Sequence, residues 1–587
     1  MSTAAEAALP PRAGKTWFGH PVQLARLFTT EAMERFGYYG MRALLTLYLT
    51  KHFIFGDRAA TGLYGGFTAL VYLTPLVGGL IADQYLGSKR SVKFGAILMA
   101  IGYFTLCFGG EQAKPYATID GQRYEVQVRQ EAGAEARYLI DRGQSLRIKG
   151  QDDGSVALLG ANGTEVRRIA KGGFTSDGER SPLHVAILLI ALSLVSVGNG
   201  FFKPNISTMV GALYEQGDRR RDAGFTIFYM GINLGSLFSQ ILCPILADAF
   251  GWWAGFGLAA LGMTLSWALI QFDGGRLNGV GDRPVGAKSN DLLIYLGALV
   301  AVPLLYLLFV NLMNAEPPKA GAGLIGYVAS LPLMGKLLFG TFLVSVPGIL
   351  IWSWFAGDRR EFEMMLAAMV LIVFNVTFWT LFEQAGSSLT LFADRNTDLR
   401  VIGDFAISAP QTQFFNAFFI VALAPVMTML WGALAKRGME PSIPIKFGIA
   451  LIGVGAGFLF LVLGAGFAGA DYKVALVWLA GLYLIHSIAE LCISPVGLSM
   501  VTKLSIARIV GLMMGVWFLS TSCAQYVAGV VAQVASVETV GGEVTNLKVS
   551  LDTYTATFSV IGQASIGLGV LLLLLSFPLK KWMHGVK

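Results

Sequence analysis

A chain of 587 residues that is 54% hydrophobic and only 14% charged, with a mean hydropathy of +0.60, is excluded from the ordinary soluble classes, in which about a quarter of residues are charged. Its net charge of +7 does not indicate a nucleic-acid partner, because the basic residues fall mostly in short loops between apolar runs, where they set orientation. Cys107, Cys243, Cys492 and Cys523 all lie inside apolar runs at no metal-ligand spacing, so neither a disulfide framework nor a metal centre is expected.

In chain order, residues 1–20 read as a cytoplasmic tail, lacking a compact apolar stretch with a small-residue cleavage site. Membrane spans are then predicted near 22–50, 60–82, 92–109, 183–213, 224–248, 252–271, 290–313, 334–356, 364–393, 411–435, 445–468, 473–501, 510–536 and 554–583. The first is the most informative. Glu31, Glu34, Arg35, Tyr38 and Arg42 sit on one helical face within it. Each centred charge facing lipid would cost about 2.5–3.5 kcal/mol, and the four together about 10 kcal/mol. They must face a protein interior or a water-filled cavity, and a protonatable pathway inside the membrane points to transport.

After the second span, Gly78 to Arg90 reads GGLIADQYLGSKR: glycines for close helix approach, then an acid and bases at a tight turn. Residues 111–181 break the apolar pattern. Short alternating runs such as Arg123–Val128 and Ser145–Ile148 are separated by Asp120-Gly121, Asp153-Gly154 and Asn162-Gly163, so a small β-rich extracytoplasmic insertion is expected. The polar stretch 536–550 lies on the same side, and Val544–Leu551 could add a strand to that insertion. Lys203, within the fourth span, needs an acidic partner or a substrate carboxylate. Glu383 follows Trp379 by one turn, and Glu490 precedes Ser494 by four residues on one face.

Loop charges fall on one side of an alternating topology: Lys89, Arg90 and Lys93; Arg219 to Arg221; Arg276, Arg283 and Lys288; Arg359 and Arg360; Lys436, Arg437 and Lys446; Lys503 and Arg508; Lys580, Lys581 and Lys587. That side is cytoplasmic, and with it both termini.

The turn Gly78–Arg90 resembles the loop between spans two and three of the major facilitator superfamily. Glu31-x-x-Glu34-Arg35-Phe36-x-Tyr38-Tyr39-Gly40 resembles the ExxERFxYYG motif of the proton-dependent oligopeptide transporters. Phe228-Tyr229-Met230-Gly231-Ile232-Asn233-Leu234-Gly235-Ser236, Glu383-Gln384-Ala385-Gly386-Ser387-Ser388 and Glu490-Leu491-Cys492-Ile493-Ser494-Pro495 resemble further signatures of that family. The resemblance covers nearly all of the chain outside 111–181. It implies an all-α major facilitator fold: an N-terminal six-helix bundle over 21–272, a linker with two extra helices over 273–358, and a C-terminal six-helix bundle over 359–587. It also implies a proton-coupled symporter of di- and tripeptides, with protons as coupling ion and no other cofactor; a monomer among lipid is expected, with an oligomer left open, and the glycine- and alanine-rich spans and short tail point to a bacterial inner membrane.

A zwitterionic peptide needs an acid and a base held apart. Glu490 with Asn416 is expected to hold the amine, and Arg35, Arg42 and Lys203 the carboxylate. Tyr38, Tyr72, Asn233 and Ser494 would orient the backbone, and Trp379 and Trp517 would wall the side chains. Glu31, Glu34, Arg35, Lys203 and Glu383 are the proton-coupling candidates. Arg42 with Glu383 is an expected extracellular gate, with Asp394 a second partner for Arg42. Three rivals differ by observation. A transporter of another small anion or metabolite would ignore dialanine. A membrane enzyme needs a clustered acid–histidine site, whereas the five histidines are scattered. A receptor would depend on the insertion.

Overall fold

Charge-poor sequence with helix-long apolar runs folds here into long helices, because in lipid every backbone polar group must be satisfied internally. The computed structural model describes residues 16–586 except 132–133, 216–217, 219, 285, 287–289 and 316–322. Most of the expected N-terminal tail, and Arg219, Lys288 and Lys587 among the loop charges, lie outside the described residues.

The helices are α1 (Gln23–Leu47), α2 (Asp57–Ile81), α3 (Ser88–Leu106), α4 (Pro182–Gly211), α5 (Arg221–Phe250), α6 (Trp252–Gln271), α7 (Asp291–Met313), α8 (Gly323–Ser330), α9 (Leu333–Ala356), α10 (Arg359–Phe382), α11 (Ser388–Asn396), α12 (Phe414–Lys436), α13 (Ile443–Ala465), α14 (Leu476–Leu504), α15 (Val510–Val534) and α16 (Leu547–Trp582). Among the described residues, twelve helical segments are long and apolar enough to cross a membrane. α1 and α3 are not among them, for a compositional reason. α1 carries Arg26, Glu31, Glu34, Arg35 and Arg42, and α3 opens on Lys89, Arg90 and Lys93. α1 is buried along most of its length and packs on α5 and α6; α3 packs on α4 and α6 and leaves Ile97, Ile101 and Phe104 exposed on its other face.

Two apolar cores divide the helices. One is built mainly from α1–α6, the other from α10–α16. Between them in sequence, α7 packs on α2 and α4, and α9 on α10 and α15. Only Ala298, Phe309 and Leu312 of α7 are buried, so these two helices sit on the periphery. Glycine lets α2 and α4 approach: a Cβ on Gly78 would lie 2.0 Å from the Gly200 carbonyl oxygen. At the α2–α3 turn the bases tie α3 to neighbouring segments. Lys89 pairs with Asp273 at 2.9 Å and Arg90 with Asp291 at 2.7 Å.

Residues 114–179 form a seven-stranded antiparallel sheet: β1 (Lys114–Ile119), β2 (Gln122–Glu131), β3 (Ala134–Asp141), β4 (Gln144–Gly150), β5 (Val156–Leu159), β6 (Glu165–Ile169) and β7 (Phe174–Glu179). The spatial order is β6-β5-β4-β3-β2-β1-β7. Asp120-Gly121 turns with φ of 51° and 78°, the left-handed pair that a two-residue hairpin requires.

Two expectations are corrected. The span predicted over 364–393 is broken: α10 ends at Phe382, a tight 3-10 turn covers Glu383–Gly386, and α11 follows. The break is built around Gly386, whose Cβ would lie 1.7 Å from the Tyr64 hydroxyl and whose carbonyl accepts from Thr46 Oγ1 at 2.5 Å. Nor does Val544–Leu551 form a strand. Asn546 caps α16, its side chain accepting from the Lys548 and Val549 backbone at 2.8 and 3.2 Å, so the helix starts at Leu547 rather than near 554. What pairs there is a hairpin, Thr539–Val540 with Glu543–Val544.

Candidate functional site

α1 supplies the first half of the site. Its i, i+3, i+4 spacing brings Glu31 and Glu34 onto one guanidinium. Arg35 Nε ion-pairs with Glu34, Nη2 donates to Glu34 at 2.6 Å, and Glu31 lies 3.5 Å away. Arg35 Nη2 also reaches Asn199 Oδ1 at 3.4 Å, and the Asn199 amide donates to the Val71 carbonyl at 2.7 Å. All four groups are buried, and among the described residues Glu31 Oε2, Arg35 Nη1 and the Tyr38 hydroxyl have no hydrogen-bond partner. A buried ionised cluster holds its charge only while its members stay paired, so a second carboxylate would compete directly for Arg35.

Two turns on, Arg42 ion-pairs with Glu383 and donates to the Tyr64 hydroxyl at 2.5 Å. This is the expected cross-core contact, and the α10 break presents Glu383 to it. Asp394 does not join it. Nearly two α11 turns beyond the break, Asp394 pairs instead with Lys51 at 2.6 Å, and Lys51 also pairs with Glu543 at 3.1 Å.

Tyr72, Trp379, Ser494 and Trp517, with Asn375, Ile493, Phe518 and Thr521, line a cavity of about 160 Å³ between the two cores. Lys203 Nζ sits 5.0 Å over the Tyr72 ring at its α4 side. On the α14 side Glu490, one turn before Ser494, accepts from Asn416 Nδ2 at 3.2 Å. Among the described residues neither Lys203 nor Glu490 has an ion-pair partner. Neither is itself among the residues lining the cavity: Lys203 stands beside Tyr72 on the first core, and Glu490 lies one turn before Ser494 on the second. Asn233 is placed differently: its amide donates to the Tyr229 carbonyl of its own helix at 3.0 Å.

Sequence reasoning missed several neighbours. Tyr39 lies between Arg35 and Arg42, at 5.9 and 5.7 Å from its ring centroid. Asn199 carried a usable signal, a lone amide in an apolar run. Tyr64 carried none. The largest omission is Asp57 with Arg395, a two-bond pair at 2.6 and 2.6 Å with both side chains fully buried, closed further by Tyr554 and by the Val537 backbone N–H. With Arg42–Glu383 and Lys51–Asp394 it joins the two cores toward the end of the molecule where the sheet sits, while Ser522 donates to the Ala69 carbonyl at 2.7 Å midway along α2 and α15.

Two helical cores that meet around an internal cavity and are joined by buried ion pairs, among helices long and apolar enough to cross a membrane, are the arrangement of a multi-pass transporter of the major facilitator type. The profile of the POT family matches residues 89–278 and 337–547. The chain is 30% identical to a peptide transporter of Yersinia enterocolitica over 98% of this chain and 97% of that one. It is 28% identical to dipeptide and tripeptide permease A of Escherichia coli, over 95% and 92%. Among solved structures, a variant of a POT peptide transporter bound to alafosfalin matches with a TM-score of 0.72 at 28% identity, covering 97% of each chain. A POT family transporter bound to 5-aminolevulinic acid matches at 0.70 and 25%, covering 96% and 98%. The chain belongs to the POT family.

Proposed function

We propose that this protein imports di- and tripeptides together with protons, by alternating access between two six-helix bundles, 21–272 and 359–587. α1 and α3 then also cross the membrane, and α7 and α9, in the linker 273–358, form a peripheral pair. The observation that carries the reading is a base and an acid on opposite cores, Lys203 over the cavity-lining Tyr72 and Glu490 one turn before the cavity-lining Ser494, neither with an ion-pair partner among the described residues. A zwitterionic peptide supplies a cation for Glu490 and Asn416 and an anion for Lys203, Arg35 and Arg42. The two relatives named above as peptide carriers support the same substrate class. Tyr38, Tyr72 and Ser494 orient the backbone, Trp379 and Trp517 flank side chains, and Asn233, whose amide is held by the Tyr229 carbonyl of its own helix, offers its side-chain oxygen to the peptide backbone.

Coupling runs through α1. A proton on Glu31 or Glu34 loosens their hold on Arg35 and frees it for the substrate carboxylate, with Lys203 sensing the same charge balance. Arg42–Glu383 is the gate on the outer side, backed by Lys51–Asp394. The loop charges support an orientation with both termini on the cytoplasmic side, and the bacterial permease relatives support an inner-membrane setting. The cavity lies within a single chain, so one copy is sufficient.

The carriage of another small anion or metabolite is the competing reading. It is separated by competition: excess dialanine abolishes uptake of a labelled dipeptide if the zwitterion is the substrate. Binding of dialanine that survives removal of both Glu490 and Lys203 would refute the assignment.

A further inference from the structure

The sheet inserted at 111–181 is the one large element that transport by the helices leaves without a task. It belongs to the chain between α3 and α4, yet it is fastened to the connection between α15 and α16. The Thr539–Val540/Glu543–Val544 hairpin packs on β1 and β7. Val540 is fully buried and is part of the sheet's own apolar core, with Ala117, Ile119, Val126 and Phe174. Beyond the hairpin, the Gly150 backbone N–H donates to the Thr545 carbonyl at 3.1 Å. Asn546 Nδ2 reaches Asp152 at 3.1 Å, and Lys548 pairs with Asp152 at 2.9 Å.

The same hairpin touches the end of α1. Its turn residues Gly541 and Gly542 have φ of 60° and 85°, and a Cβ on Gly542 would lie 2.6 Å from the Thr50 carbonyl oxygen. Glu543 reaches Lys51. The sheet is in turn tied to the α1–α2 connection: Arg180 donates to the Phe53 and Ile54 carbonyls at 2.8 and 3.0 Å, and a Cβ on Gly178 would lie 2.8 Å from Ile54 Cβ. The C-terminal hairpin is thus held between two parts of the N-terminal half.

We propose that the insertion is a clasp: it grips the α15–α16 hairpin and stabilises the arrangement in which the sheet end of the transporter is shut. This rests on the alternating-access reading above. Opening that end must part α1 and α2 from α11 and α15, and so must pull Val540 out of the sheet's core or drag the sheet off the α1–α2 connection. Exposing a buried valine and breaking the charged contacts biases the equilibrium toward the shut form, and releasing the clasp moves the open population upward by about tenfold.

The test is a spin-label distance across the sheet end, between the α1–α2 connection and the α11–α12 connection, on the full-length protein in nanodiscs. Val540→Asp and Gly542→Ala should each raise the open, long-distance population about tenfold. Asp152→Lys should raise it less, because that pair is exposed, and adding Lys548→Asp should return it toward wild type. The charge-swapped pair keeps the test decisive should Val540→Asp disturb the sheet. Unchanged distance populations in both Val540→Asp and Gly542→Ala, with the sheet still protease-resistant, would overturn the clasp. The readout contains no substrate, so a clasp that fails here is distinguishable from a wrong peptide assignment, which only uptake reports.

Discussion

Removing Asp57 leaves the Arg395 guanidinium buried and unpaired, and this is the most quantitative consequence of the structure. Both side chains are fully buried, and two 2.6 Å bonds join α2 to α11. Breaking one side of such a pair costs about 3–5 kcal/mol. Asp57 also accepts from the Val537 backbone at 3.0 Å, a bond worth about 1 kcal/mol net, and it opens α2, where an acid is favoured by up to about 1 kcal/mol. Asp57→Ala is therefore expected to favour the form open at the sheet end by roughly a hundredfold or more, and to lower thermal stability in detergent. Asp57→Leu combined with Arg395→Met removes both charges, so most of the penalty disappears and only about 1–2 kcal/mol remains, from the Val537 bond and the helix terminus. The assay is thermal unfolding together with a spin-label distance across the sheet end. A single variant indistinguishable from wild type by both readouts, or a double variant as impaired as the single, would refute the assignment of this pair as the lock between halves.

Other outcomes follow from other parts of the molecule. Glu34→Gln should abolish uphill accumulation of peptide and spare counterflow exchange, because exchange needs no net proton movement; retained accumulation contradicts the coupling role. Gly78→Ala should lower stability by about 1–3 kcal/mol, as overpacking does, since the new methyl meets the Gly200 carbonyl; an unchanged melting temperature would mean α2 and α4 are less close than described. The Asp152 carboxyl is held below the usual carboxylate range by its hydrogen bonds from Lys548 and Asn546, with Asp153 opposing and Lys548 itself facing Tyr472 and Asp552. A depressed folded value means the contact is intact above the unfolded value of about 4 and is lost only as pH falls below it. Lys548→Met should therefore leave the pH profile of uptake between about pH 5 and 8 unmoved, and a shifted profile would place a titrating group at the clasp.

The parts of this site that could be read from the chain are those where a charge stands in an apolar run. Glu31, Glu34, Arg35, Arg42, Lys203, Glu383 and Glu490 announce themselves, because lipid would make each of them too costly. Arg42 with Glu383 could be paired in advance, as two intramembrane charges on different halves. Asp394 could not. Its partner is fixed by the break at Gly386, which redirects α11 so that Asp394 meets Lys51, 343 positions away in sequence. Asp57 and Arg395 escaped for a plainer reason: each lies just outside a predicted apolar run, where a charge costs nothing and reads as loop. The insertion was recognisable as a sheet from its alternating runs and Asp-Gly turns. Its attachment was not, because Val540 stands in a polar stretch whose burial depends on a surface formed some 400 residues earlier.

The most direct trial of the account is uptake of a labelled dipeptide into proteoliposomes under an inward proton gradient, with and without a protonophore. The account predicts accumulation above equilibrium that collapses to equilibration when the protonophore is added. Accumulation that persists with the protonophore, or no uptake from folded protein that unlabelled dialanine fails even to bind, would contradict proton-driven peptide import.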